Sequence, residues 1–347
     1  MKNKVYKVLL PVYSVICLVL LVGISYAADD YPIFESQLMQ FLLSLGLCVL
    51  GGIVGNAIHL VLHELGHVIP LLKKAEIFEF SVLFVTFIKV DKGYKVKLFK
   101  NLKYGGKVAF VGKNPETAGV LVFSSALWAW VATLVSLVIY SFLFYLSNSY
   151  IAYCVFGGAT LGTFYSLLFN FLSGMPSSDG LLLFKPDRHT DRVFALCETE
   201  SRLYLGESLL DMSDKLFYSE ENKVNSYYSY LRLMQKGDLE NAKNMLEISC
   251  KENEKTLDNE PIAIDLEKFY LALIENDKNT VDVLKDDIVY YCDKNINATT
   301  LRVMVKYRQF TGETDWARAL RVTFERQSNG VFKGLFKTEK DIYDKFS

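Results

Sequence analysis

Surplus charge is missing from this chain. Lys and Arg number 38 against 39 Asp and Glu, a formal balance of -1 over 347 residues, so the basic excess on which nucleic-acid binding draws is absent. Cysteine is sparse: six are scattered at positions 17, 48, 154, 197, 250 and 292 with no CxxC pair. Three lie in apolar runs, which points to neither a disulfide framework nor a thiolate metal site. Histidine is scarcer still, with four residues, three of them inside the nine-residue window His59–His67. From Thr117 to Ser178 there is no Asp, Glu, Lys or Arg in 62 consecutive residues. A spanning helix needs about 20 largely apolar residues, so a wholly cytosolic chain is excluded.

What is present is a set of uncharged runs followed by a polar tail. Residues 8–28 follow Lys2, Lys4 and Lys7 and read as a retained helix. A signal peptide cut near Ser25-Tyr26-Ala27 is the alternative. A second run starts near Ser36 and continues to Pro70, which ends or bends the helix. Residues 119–146 and 150–172 make two more spans around a turn at Ser147-Asn148-Ser149. The link between the first two spans carries Asp29, Asp30 and Glu35 and no lysine, whereas residues 73–113 carry ten lysines. Basic loops stay cytoplasmic, so four spans with both termini inside are expected. The ends of spans two and four then meet on the same side.

Between Glu76 and Gly112 the pattern alternates. Phe78, Phe80, Val82, Phe84, Thr86 and Ile88 are followed by a turn signal at Asp91-Lys92-Gly93, then by Tyr94, Val96 and Leu98 between lysines. Two or three short strands result, a hairpin at the membrane face. The hairpin is either a tether or an exposed edge able to pair with an extended peptide. After Lys185-Pro186-Asp187 helical spacing returns near 192–216, 222–234, 238–251, 261–276, 279–292, 298–310, 313–326 and 331–344. Gly237-Asp238, Asn276-Asp277 and Gly312-Glu313 recur at intervals of 39 and 36 residues. Intervals of that size fit stacked helical hairpins. The tail resembles a degenerate tetratricopeptide array, and a generic helical domain is equally compatible. His189 reads as a surface side chain.

His63-Glu64-Leu65-Gly66-His67 is HExxH. On a helix, positions i and i+4 share a face, so both imidazoles reach one ion while Glu64 stands beside it. The pattern is that of a Zn2+ site with a glutamate base. At ordinary residue frequencies it arises by chance in about 0.3% of chains this long. A third ligand is required. His59 shares the face, but three ligands at i, i+4 and i+8 would spread over about 12 Å, so His59 reads as core or as support for a ligand. Glu76 and Glu79 are candidates if the chain folds back after Pro70. Asp179, which ends the uncharged stretch just beyond the fourth span, is the stronger one. Gly66 removes bulk next to His67 and permits close approach of a helix or substrate.

With these residues in hand, the chain resembles the site-2-protease-like intramembrane zinc metalloproteases (peptidase M50-like), over roughly residues 36–186. Asn170-Phe171-Leu172-Ser173-Gly174-Met175-Pro176-Ser177-Ser178-Asp179-Gly180 is similar to the second motif of that family. It departs at Ser173, at Ser178 and by one residue in the spacing of Asn170. The resemblance implies Asp179 as third zinc ligand and Asn170 near the scissile carbonyl. It further implies, as substrates, single-span membrane proteins or signal and pheromone peptides in a bacterial cell membrane. No PDZ or CBS module is evident.

The expectation is therefore an all-α polytopic membrane protein with a short membrane-associated β-hairpin and a helical, TPR-like cytoplasmic domain. The domains expected are 1–35, a helix and external loop; 36–186, the core with its insert near 76–112; and 187–347, the tail. The function expected is peptide hydrolysis with metal ligands His63, His67 and Asp179, catalytic residues Glu64 and Asn170, and a protein partner on the tail. The alternatives are an inactive membrane-anchored scaffold or a zinc enzyme with a non-protein substrate.

Overall fold

The computed structural model describes residues 15–24, 36–90, 93–99, 106–172, 179–184, 188–217, 226–253, 261–326 and 332–347. The protein is mostly helical with one small antiparallel sheet. Its contacts divide it into two compact units, Met1–Asp191 and Arg192–Ser347, each described by itself.

The first unit holds the apolar helices. A short helix α1 (Val15–Ile24) is followed by α2 (Gln37–Val68), then, beyond the sheet, by α3 (Ala118–Tyr145), α4 (Tyr150–Leu172) and the single-turn-and-a-half α5 (Asp179–Phe184). Among the described residues, two helical stretches are long and apolar enough to cross a membrane, Gln37–Leu71 and Pro115–Tyr145. Much of the first expected span and the turn at 91–92 lie outside the described residues.

Helices α2 and α4 run side by side in the same direction, with Ser44 bonded to Tyr150 at 2.7 Å and Asn56 to Ser166 at 2.6 Å. Glycine makes this approach possible. A Cβ on Gly51 would collide with the Val155 backbone, and one on Gly158 with the Cys48 carbonyl. Helix α3 runs antiparallel to α2, and Tyr140 donates to the Gly55 carbonyl at 3.2 Å. Gly66 does admit a close neighbour, and it is α3: a Cβ there would lie 2.7 Å from Ala129 Cα.

The insert has four strands where two or three were expected: β1 (Ala75–Val82), β2 (Val85–Val90), β3 (Gly93–Leu98) and β4 (Gly106–Gly112), in the order β3-β2-β1-β4. The miss lies in β4, whose Val108, Phe110 and Gly112 pair with β1 across a bulge at Ile77/Glu79. Its Val108, Ala109, Phe110 and Val111 are contiguous and so show no period of two. Every residue of β3 is exposed.

Helix α6 (Arg188–Leu205), whose residues from Arg192 on belong to the second unit, stops at Gly206 rather than running to 216. Gly206 has φ +100, a left-handed conformation that terminates helices. Helices α7 (Ser226–Lys236) and α8 (Leu239–Asn253), α9 (Pro261–Glu275) and α10 (Lys278–Lys294), and α11 (Ala298–Phe310) and α12 (Thr314–Arg326) form three successive hairpins. The recurring signature is their turn. Gly237 and Asn276 sit at φ 81 and 60 directly after α7 and α9, and Gly312 at φ 80 follows α11 by one intervening residue, Thr311. Asp277 then caps α10 by accepting from the Asn279 and Thr280 amides.

The last helix, α13 (Lys333–Phe346), packs on α7 and α11. Tyr230, Phe269, Met234, Ile288, Val303 and Ile342 form the common core. Within it Arg302 is wholly buried, bonded to Glu267 at 2.7 and 2.9 Å and to Glu339, with its guanidinium 4.0 Å from the Tyr270 ring. Burial pushes the Glu339 carboxyl above its usual range, against the pull of Arg302.

Candidate metal centre

The site is assembled from three helices. Uninterrupted α2 geometry puts His63 and His67 on one face, their ring centroids 5.0 Å apart. Helix α5 begins at Asp179, so this carboxylate stands at a helix N-terminus. Its Oδ2 lies 3.0 Å from His63 Nε2 and 3.3 Å from His67 Nε2. His63, Glu64 and His67 each offer a ligand atom within 4.8 Å of the others.

Helix α3 decides which nitrogens face the aspartate. Thr133 Oγ1 donates to the Ala129 carbonyl and Ser125 Oγ to the His67 carbonyl, at 3.1 and 3.0 Å. Each hydroxyl has a single hydrogen, already engaged. His63 Nδ1, 2.9 Å from Thr133 Oγ1, and His67 Nδ1, 3.0 Å from Ser125 Oγ, are therefore the donors. In the neutral rings the Nε2 lone pairs then point at a carboxylate oxygen. Three lone pairs converging at 3.0–3.3 Å repel unless a cation lies among them. Either two protons or one divalent ion relieves that repulsion. Ligand atoms around tetrahedral zinc, with bonds near 2.0–2.1 Å, stand about 3.3 Å apart. The donor set of two neutral imidazoles and one carboxylate, with hydroxyls behind the rings, fits zinc.

Glu64 is buried beside the pair, and its Oε2 has no hydrogen-bond partner among the described residues. A lone buried carboxylate oxygen is costly, and a water or polar ligand at this position would satisfy it. Gly106, the first residue of β4, lies against the same carboxylate, for a Cβ there would collide with Glu64 Oε1. The sheet thus begins at the glutamate.

The other candidates fall elsewhere. His59 is wholly buried, its ring centroid 5.9 Å from that of His63, and neither of its nitrogens has a hydrogen-bond partner among the described residues. Glu76 is paired with Lys89 across β1 and β2. Glu79 occupies the middle of β1, opposite Ile88. Asn170 lies in the last turn of α4, and its side chain, like residues 173–178 and the side chain of His189, is outside the described residues.

Sequence reasoning missed Ser125, Thr133 and Gly106. The two hydroxyls sit eight residues apart on α3, facing ligands four apart on α2. Only the antiparallel register of the two helices pairs them, and no local motif carries it. No family model, no curated protein and no solved structure matches this chain.

Proposed function

We propose that the protein is an intramembrane zinc peptidase that hydrolyses peptide bonds of membrane-embedded proteins or peptides near the cytoplasmic face of the bilayer. The observation that carries this reading is the meeting of His63 Nε2, His67 Nε2 and Asp179 Oδ2, with Glu64 at their side. His63, His67 and Asp179 would hold the ion, and zinc bound there would supply a Lewis acid and lower the pKa of water. Ser125 and Thr133 fix both rings in the tautomer that presents Nε2. Glu64, enclosed and with Oε2 unengaged, takes the proton of the attacking water and passes it to the leaving amine. Asn170, by the resemblance noted above, donates to the developing oxyanion.

A helical substrate hides its carbonyls and must unwind before it is cut. β4 starts against Glu64 and pairs with β1 on one side, so an extended substrate segment laid along its other edge would run past the glutamate. The four-span topology with both termini cytoplasmic follows from the ten lysines of residues 73–113. It adds residues 8–28 and α4 to the two stretches named above. The hairpins of the second unit, TPR-like in their turn chemistry, serve on this reading to recruit or gate the substrate.

The test is metal analysis of purified wild type, H63A and D179A, joined to mass spectrometry of membrane peptides from cells carrying E64Q. Zinc near one per chain, lost in both ligand variants, with a precursor accumulating in E64Q, is the expected result. A scaffold would keep its full phenotype in E64Q and accumulate no precursor, and that outcome would replace the peptidase reading.

A further inference from the structure

One turn before His63 the interior of the first unit holds polar atoms that nothing among the described residues satisfies. His59 and Thr163 are both completely enclosed, and neither His59 Nδ1, His59 Nε2 nor Thr163 Oγ1 has a hydrogen-bond partner. Both residues break the habit of their neighbours. His63 and His67 each find a hydroxyl on α3. Thr160, Thr133 and Ser136 each donate to the carbonyl four residues earlier.

Helix register brings the two together. Gly51 abuts Val155 and Gly55 abuts Ala159, a constant offset of 104 residues along parallel α2 and α4. The next turn of the same row pairs His59 with Thr163. On the third side, His63 with Thr133 sums to 196 and Gly66 with Ala129 to 195 along antiparallel α2 and α3. The same sum places Ser136 opposite His59. Ser136 is buried, and its oxygen, having donated to Ala132, still accepts.

A neutral imidazole has one donor and one acceptor nitrogen, and a threonine hydroxyl is both. Water is small enough to fit between close-packed helices and can bond Thr163 Oγ1 and one ring nitrogen of His59 at once. We propose that His59, Ser136 and Thr163 enclose a buried water site in the three-helix interior, one helical turn N-terminal to the first metal ligand. Three polar partners from three helices is the usual environment of an internal water. This water holds the His59 ring in place beside His63 and joins α2, α3 and α4 at a level where the described side chains make no direct polar bond to His59. The site stands whether or not the chain is a peptidase, because neither its partners nor its test involves cleavage.

Radiolytic footprinting of the full-length protein in detergent tests it, because X-ray pulses generate hydroxyl radical from the bound water itself. His59 is expected to gain oxygen despite its complete burial, and its labelling is expected to fall several-fold in T163V. An unlabelled His59 in the wild type would overturn the proposal with no variant needed. A mutant cycle gives an independent reading. H59L and T163V are each expected to lower the thermal midpoint by several degrees, since each strands the remaining group, while H59L/T163V melts no lower than the weaker single variant. Losses that simply add would mean that no water couples the two.

Discussion

Arg302→Met tests the fully buried ion set of the second unit. The guanidinium and both of its carboxylate partners, Glu267 and Glu339, have no exposed side-chain surface. Methionine preserves much of the volume but leaves two carboxylates enclosed without a cation, and breaking a buried pair from one side costs roughly 3–5 kcal/mol. At about 2–4 °C per kcal/mol for a unit of this size, the midpoint should fall by about 6–20 °C. Thermal unfolding of the full chain by circular dichroism reads the shift, and amide hydrogen exchange in α9, α11 and α13 assigns it to this unit. Neutralising the set as well, in R302M/E267Q/E339Q, should recover a large part of the loss. A drop of under about 1 kcal/mol in R302M would refute the reasoning, because it would mean that the carboxylates find water.

Several further outcomes follow from single residues. The Glu339 carboxyl is raised above 4.5 in the folded chain. Its stabilising contribution is whole below pH 4.5 and is lost as pH rises through the raised value. A pH series of melts should show E339Q flattening that decline and melting at or above wild type at pH 8. T133V removes the hydroxyl behind His63, and zinc affinity measured by competition with a chelator should weaken about 10–100-fold with the fold retained. G106A drives a methyl into the Glu64 carboxylate; wild-type zinc content with loss of cleavage is the result to look for by metal analysis and peptide assay. Asn276 holds φ 60, so N276V should destabilise by about 1–2 kcal/mol in urea unfolding, while N276G should be neutral or better.

What could be read from the sequence was whatever is local. HExxH needs only one helix, and the recurring Gly/Asn-Asp/Glu pairs need only one turn, so both were visible at fixed spacing. The end of α6 at Gly206 was misplaced because apolar residues continue at helical spacing through Leu209, Leu210 and Leu216. Leu209 and Leu216 are buried in turns and a short 3-10 helix instead, and Leu210 is exposed. The fourth strand has no alternation to read, because Val108, Ala109, Phe110 and Val111 are a continuous apolar run. Ser125, Thr133 and Thr163 were invisible for a different reason. Small hydroxyls in apolar helices ordinarily bond their own backbone, and only the packing of three helices singles out those that do something else.

The imidazoles of His63 and His67 grow from one helix and are tied to another. If both tethers came from α2 itself, any rigid movement of that helix would carry the pair along unchanged. Because Ser125 and Thr133 belong to α3, a slip between the two helices by one residue's rise, about 1.5 Å, would release both rings together and let them swing. The centre therefore doubles as a gauge of helix spacing: a segment wedged between α2 and α3 would free both rings and, on the proposed reading, weaken their hold on a metal.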